Sequence, residues 1–341
     1  MKSRTTILVM LAAVATMLVV LNPGGTQAQE GQAAAAAVTC NFKPATIVGT
    51  NGNDTINGTA GPDVIHARAG NDLVRSLGDD DTVCLGTGRD IVKGGAGDDT
   101  FASEAVLDGQ DNFVGDAGRD LVRYSARSVG VDVRIDGAPN DGQTGERDDV
   151  ELSVEDVVGT PADDFIIGSD FGNALFGGNG DDDLRGSVGN DSISGGNDND
   201  QLIGNAGDDF MFGNAGDDTS IAAAVADGAD FFEGSIGLDT MSYEGRALQV
   251  VVTINNVAND GSLGEGDDIR LDVENVSGGS GNDILNATSF QAEPNKLKGN
   301  AGVDILNTRD APVLAGDFAD GGSSADACFT DADDIRISCE Q

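Results

Sequence analysis

Aspartate returns every nine residues along much of this chain, and carboxylates at a fixed interval can repel one another, work as acid–base pairs or ligate a hard cation. They fall at Asp54, Asp63, Asp72, Asp81, Asp90, Asp99, Asp111 and Asp120 in a first run. A second run carries Asp164, Asp182, Asp191, Asp200, Asp209, Asp218, Asp230 and Asp239, and a third Asp283 and Asp304. Asparagine takes the same place at Asn173 and Asn295, which predicts weaker or empty positions there. The stretch IGNAGDDFMFGNAGDDT (203–219) shows the unit twice: G-x-x-G-x-D-x-U-x, with U a large apolar residue.

The elements that position these acids follow from the unit. Only x-U-x has strand character, and neighbours in an extended segment point to opposite faces. Ile56, Ile65, Val74, Val83, Val92 and Phe101 therefore point inward, flanked by outward Thr, Asn, Arg, Lys and His. The glycines supply turn conformations closed to other residues and let backbone approach a ligand. Two units close a coil of eighteen residues, and stacked coils give two parallel sheets around one layer of side chains. No segment after the N-terminal apolar run shows helical periodicity over three turns. The fold class is all-β, a parallel β-roll or β-solenoid.

Two apolar side chains per coil bury too little surface to offset the ordering of a glycine-rich chain. Position-six carboxylates of successive coils also lie in register, about 5 Å apart, the spacing of neighbouring strands. A cation answers both difficulties. Calcium takes six to eight oxygens from carboxylates and carbonyls in a flexible array, whereas magnesium demands a strict octahedron and keeps its waters. One histidine and four scattered cysteines do not make a zinc or copper site. Each row of turns is thus expected to be a ladder of calcium sites, with the eighteen aspartates as ligands.

The units form a long duplication: Gly216 matches Gly97, Asp230 matches Asp111 and Tyr243 matches Tyr124, a constant shift of 119 residues. SEA (103–105) and AAA (222–224) interrupt the runs at equivalent places. Matching inserts at 124–158 and 243–277 each read strand–loop–strand, with VDVRI or VVVTI, an acidic glycine loop (NDGQTGERDD or NDGSLGEGDD), and VELSVEDVV or IRLDVENVS. They are expected to stay in the stack, as longer coils or a hairpin on its side. CNFKPATIV (40–48) is a degenerate first unit.

The predicted organisation is a signal peptide at 1–28, a low-complexity leader at 29–39, roll blocks at 40–123, 159–242 and 278–307, the two inserts between them, and a cap at 308–341. Lys2 and Arg4, the fifteen-residue apolar run from Ile7 to Leu21 and Thr26-Gln27-Ala28 make a secretion signal too short for a membrane span. Export is expected to release a mature chain from about Gln29, extracellular and without a membrane span.

These units resemble the hemolysin-type (RTX) calcium-binding nonapeptides, whose signature they carry from about Gly49 to Asn307. VEDVVG and VENVSG resemble strands found where such repeats are interrupted. The resemblance implies a parallel β-roll in which position-six Asp and turn carbonyls bind several Ca2+ ions, and it points to secreted bacterial proteins built almost wholly of such repeats. The second consensus glycine is often missing, as in GTNG, and no protease, lipase or toxin domain is attached.

The net charge of −40 excludes nucleic acid and anionic membranes as partners. Four cysteines in an exported chain allow three pairings. Cys328 and Cys339, eleven apart, suit a local staple, leaving Cys40 with Cys84 near the other end. The best candidates for catalysis outside the repeats are Asp141, Glu146, Asp148 and Asp149, with Asp260, Glu265, Asp267 and Asp268. They read better as a further calcium loop or as solvated acids, and no enzyme is expected. His66 lacks a patterned nucleophile, and Tyr124 and Tyr243 read as packing residues. An adhesin or polysaccharide binder at the cell surface is the alternative, although the chain has no Trp and two Tyr. A Thr-rich ice-binding face is absent from the mixed outward positions.

Overall fold

A computed structural model describes residues 38–287, 294–309 and 316–340. The expected signal peptide and nearly all of the leader lie outside the described residues. The remainder is a parallel β-solenoid, with short strands and no helix among the described residues. Thr55–Asn57 pairs with Leu73–Gly78, Val64–His66 with Thr82–Cys84, and each such partner lies eighteen residues on. Where SEA and AAA are inserted, the coil lengthens to 21 residues, so Asn112 pairs with Ile91 and Phe231 with Phe210 without loss of register.

The U residues form the core. Ile65, Val74, Val83, Val92 and Phe101 are wholly buried, as are Leu175, Leu184, Ile193 and Leu202 in the second run. Most strands give this core one apolar side chain and the insert strands Val131–Arg134 and Val250–Thr253 give two, in one continuous cluster along the stack.

The inserts belong to the stack and hand one sheet over to another. An eleven-stranded sheet runs along one face from Ile47–Val48 through both blocks to Asp268–Ile269. On the opposite face, a five-stranded sheet ends at Asp149–Val150 in the first insert, and a second eleven-stranded sheet begins there with Val131–Arg134. The second insert repeats the handover: Asp268–Ile269 ends the long sheet and Val250–Thr253 starts a five-stranded one. In both inserts a short antiparallel pair, Val131–Arg134 with Gly142–Gln143 and Val250–Thr253 with Gly261–Ser262, flanks the new sheet.

The ends depart from the expected pattern. Thr39–Cys40 and Lys43–Pro44 form an antiparallel hairpin, and only Ile47–Val48 joins the stack. The hairpin lies on the outer face: Lys43 Nζ donates to Thr82 Oγ1 at 3.0 Å, and Cys40 is disulfide-bonded to Cys84. Thr82 and Cys84, expected to face solvent, are therefore buried. At the other end the stack runs beyond 307. Phe318–Asp320, Ala327–Phe329 and Ile335–Ile337 add three more parallel strands within the region expected to be a cap. Cys328 occupies an inward position there and is bonded to Cys339.

Candidate metal centre

The position-six aspartates stand in rows, one above another, and all but the half-buried Asp54 are buried although charged groups rarely are. One oxygen of each is committed to the backbone. Oδ1 of Asp72 accepts the N–H of Asp54 at 2.7 Å, that of Asp200 the N–H of Asp182 at 2.9 Å, and that of Asp209 the N–H of Asp191 at 2.8 Å. Every rung thus holds the amide of the rung before it.

The other oxygen is left over. Oδ2 is buried without a partner at Asp72, Asp81, Asp90, Asp99, Asp120, Asp182, Asp191, Asp200, Asp209, Asp218, Asp239 and Asp304. In nine of these turns it lies beside a position-one glycine, while Ala67, Ser76 and Leu85 hold that place before Asp72, Asp81 and Asp90. A Cβ on Gly94 would stand 2.2 Å from Asp99 Oδ2 and 2.7 Å from the Gly115 carbonyl oxygen of the next coil; at Gly186 the distances are 2.1 Å to Asp191 Oδ2 and 2.8 Å to the Gly204 oxygen. Where glycine stands, carboxylate and carbonyl oxygens of two coils converge on the space a side chain would fill. Burial pushes these carboxyls up, their amide hydrogen bonds offset part of that, and neighbouring carboxylates add to it. Asp182 is raised to about 8, Asp191 and Asp200 to about 7. A buried, unpartnered anion of this kind is costly without a counter-charge.

The donors are all oxygen. The four cysteines are disulfide-bonded, and among the described residues no three His, Cys, Asp or Glu side chains gather at one point. Any cation held here would draw on a few carboxylate oxygens and on turn carbonyls, a hard-cation set that fits calcium. The profile of the RTX calcium-binding nonapeptide repeat matches residues 48–83, 85–105, 158–193, 185–220 and 273–289. Over those residues the chain carries RTX calcium-binding nonapeptide repeats. No curated protein matches it.

The RTX turns are of two kinds, a distinction the repeat consensus does not announce. At the start of each run the turn closes on itself. Asp54 Oδ2 accepts the N–H and hydroxyl of Thr50 at 2.6 and 2.9 Å. Asp63, Asp164 and Asp283 accept the N–H of Thr59, Thr160 and Gly279 in the same way. In mid-run turns the position-two residue is left-handed, with φ of 89° at Ser187, 71° at Asn205 and 78° at Asn214. Threonine, branched at Cβ, disfavours that conformation, so the GT turns close; Gly279 is not left-handed either, and its GG turn at the start of the third run closes too.

The asparagines are not merely weak rungs. Each follows a glutamate of the VEDVVG or VENVSG phrase that continues the row: Glu155 accepts the N–H of Asp120 at 2.8 Å and Glu274 that of Asp239 at 2.9 Å. Asn173 Nδ2 then donates to the Glu155 carbonyl at 2.6 Å and Asn295 Nδ2 to the Glu274 carbonyl at 3.1 Å. The amide donates where an aspartate cannot.

The acidic cluster of each insert is likewise built in rather than solvated. Asp148 and Asp267 extend the row by accepting the N–H of Asp111 and Asp230. Asp141 and Asp260 each accept two backbone N–H groups of the insert strands. These acids have structural duties in place of catalytic ones. His66 lies 3.6 Å from Glu104, and Tyr124 and Tyr243 are wholly buried.

Four rungs escaped the sequence reading besides the insert acids: Glu155, Glu274, Asp317 and Asp326. Asp317 accepts the N–H of Asn295 and Asp326 that of Asp304, both at 2.8 Å. The signal was present in GGSSADACF (321–329), a full nonapeptide with cysteine at U.

Proposed function

We propose that this is a secreted calcium-ion-binding protein whose RTX roll is folded and stiffened by several ions, with a structural role outside the cell. The observation that carries the reading is the row of buried aspartate oxygens without partners, set among the carbonyls of two successive turns. The mid-run aspartates, Asp72 to Asp99, Asp120, Asp182 to Asp218, Asp239 and Asp304, would hold the ions. Asp54, Asp63, Asp164 and Asp283 serve chiefly as self-closed first rungs, and Asp111 and Asp230 adjoin the inserts. Bound calcium supplies the positive charge that the facing carboxylates lack. The chain itself does the rest: glycine clears the space, the amide ladder aims each carboxylate, and the U column sets the rung spacing.

Calorimetric titration of the mature protein, with magnesium at equal ionic strength as control, tests this reading. Multiple calcium sites with no matching magnesium response are expected; no saturable calcium binding would overturn it. Secretion rests on Lys2, Arg4 and the apolar run, and N-terminal sequencing of exported protein should read from about Gln29. Retention of Lys2 would refute cleavage.

The runner-up, a calcium-dependent polysaccharide binder or adhesin, is favoured by one feature. Phe210, Phe212 and Phe231 cluster on the outer face, with centroids 5.6–5.8 Å apart and Arg270 5.2 Å from the Phe231 ring. Loss of retention on an insoluble polysaccharide in Phe210→Ala would support it; no retention of the parent protein would remove it.

A further inference from the structure

At two places the roll carries its own cation. Arg127 and Arg246 are buried to within 2% of full enclosure. Arg127 Nη2 donates to Asp108 Oδ1 and Nη1 to Glu146 Oε1, each at 2.5 Å, and Nε reaches Ser103 Oγ at 3.3 Å. The second copy keeps both ion pairs, Arg246 donating to Asp227 and to Glu265 Oε1 at 2.6 Å, but its serine contact differs: Nη1 reaches Ser262 Oγ at 3.0 Å and Nε is buried without a partner.

The bridged acids stand to each other as ladder aspartates do. Asp108 N–H donates to Glu146 Oε1 at 3.2 Å, and Asp227 N–H to Glu265 Oε1 at 3.1 Å, the link that joins successive position-six residues elsewhere. Asp108 Oδ2 is closed by the N–H of Glu104, and Asp227 Oδ2 by that of Ala223. The oxygen left bare in mid-run rungs is also filled beside them. Tyr124 donates its hydroxyl to Asp148 Oδ2 at 3.2 Å, and Tyr243 to Asp267 Oδ2 at 2.7 Å.

We infer that Arg127 and Arg246 take the place a solution cation takes in the open turns, so that each insert junction folds without calcium and offers a finished rung on which neighbouring coils order. The inference rests on the calcium reading of the open turns. A guanidinium keeps its charge at any accessible pH and presents a planar fork to two carboxylates at once. In a stack stabilised by nearest neighbours, order spreads from whichever coil forms first. The open run from Gly177 to Asp218 lies between the two junctions, so both its ends would have a preformed neighbour. The duplication carries the device twice, once per insert.

Hydrogen exchange with mass readout, on the mature protein in chelator, tests this. Peptides covering 103–113, 124–150, 222–232 and 243–269 should exchange at least about tenfold more slowly than peptides covering 177–218. Arg127→Gln with Arg246→Gln should abolish that difference, and Arg127→Lys with Arg246→Lys, which keeps the charge, should retain part of it. Junctions exchanging as fast as the mid-run in the parent protein would overturn the inference, as would Gln variants that stay as protected as the parent. Calcium added to the parent separates the two readings. If it fails to slow the 177–218 peptides, the calcium reading falls, while the chelator contrast between arginine and glutamine still reports on the junctions.

Discussion

The run from Gly177 to Asp218 and the junction from Tyr124 to Val150 are made of the same coil, yet they balance charge in opposite ways. In the run, Asp182, Asp191, Asp200, Asp209 and Asp218 each present a buried oxygen with no partner. At the junctions Glu146 and Glu265 meet an arginine, and Asp148 and Asp267 a tyrosine hydroxyl. Titration does not divide along the same line. Burial lifts Asp182 to about 8 and Asp191 to about 7 in the run, and Asp148 and Asp267 to about 7 at the junctions, while at Glu265 the bonds from Arg246, the Ser262 N–H and Asp227 outweigh burial and leave the acid below its usual value. A solenoid can therefore be built of one repeating turn and still divide into segments that need a ligand and segments that do not.

The largest effect that would sharpen this comparison is acidification in chelator. A carboxyl whose folded pKa is raised contributes stability that is fully present below its unfolded value, near 4, and lost as pH rises through the folded value. Asp209 and Asp218 are raised to about 6, Asp191 and Asp200 to about 7 and Asp182 to about 8. Calcium-free β-structure in the run should thus be greatest at about pH 4 and fade as pH rises to about 8, protons substituting for metal. In calcium the dependence should reverse, since ligands must be ionised to bind. Circular dichroism across this range checks both signs; a calcium-free signal that grows with pH would break the comparison.

A mid-run substitution comes next. Asp200→Ala removes a carboxylate shared by two rungs and strands the Asp182 N–H, a loss of about 1–3 kcal/mol before any calcium is counted. Calorimetry should show sites lost on both sides of residue 200. Asp304→Ala, nearer the end of the stack, should cost fewer sites. An equal loss at both positions would mean that the rungs bind independently.

The smallest effect is expected at a junction. Tyr243→Phe deletes one hydrogen bond to a buried carboxylate, worth about 1.5–3 kcal/mol, and leaves the Asp267 oxygen bare like those of the run. Exchange of the 243–269 peptides in chelator should quicken, while calcium binding by the run stays unchanged. A drop in calcium stoichiometry at the run would show that the two segments are not separate.

Much of the roll could be read from spacing alone. The nine-residue recurrence of Asp54 to Asp99 places the rungs, and the inward pointing of Ile65, Val74 and Phe101 follows from strand alternation. Periodicity reports direction, however, and says nothing of the partner found there. Thr50, Gly279 and Asn205 occupy the same slot, and the backbone conformation taken there, left-handed only at Asn205, separates the closed turns from the open one. Glu155 and Glu274 were hidden because the inserts lengthen the coil to 35 residues at those rungs. Asp317 and Asp326 were hidden because the U residues beside them, Ala319 and Cys328, are small. Arg127 and Arg246 each occur once per long duplicate, so no short period marked them.

The most direct test of the central claim, that cations complete the open turns, is far-ultraviolet circular dichroism of the mature protein at about pH 8, first in chelator and then during calcium addition, with magnesium at matched ionic strength beside it. Binding that completes a ligand set becomes folding free energy. A cooperative rise in β-structure with calcium, and little with magnesium, is the predicted result. A full β-spectrum already present in chelator, or an equal response to magnesium, would contradict it.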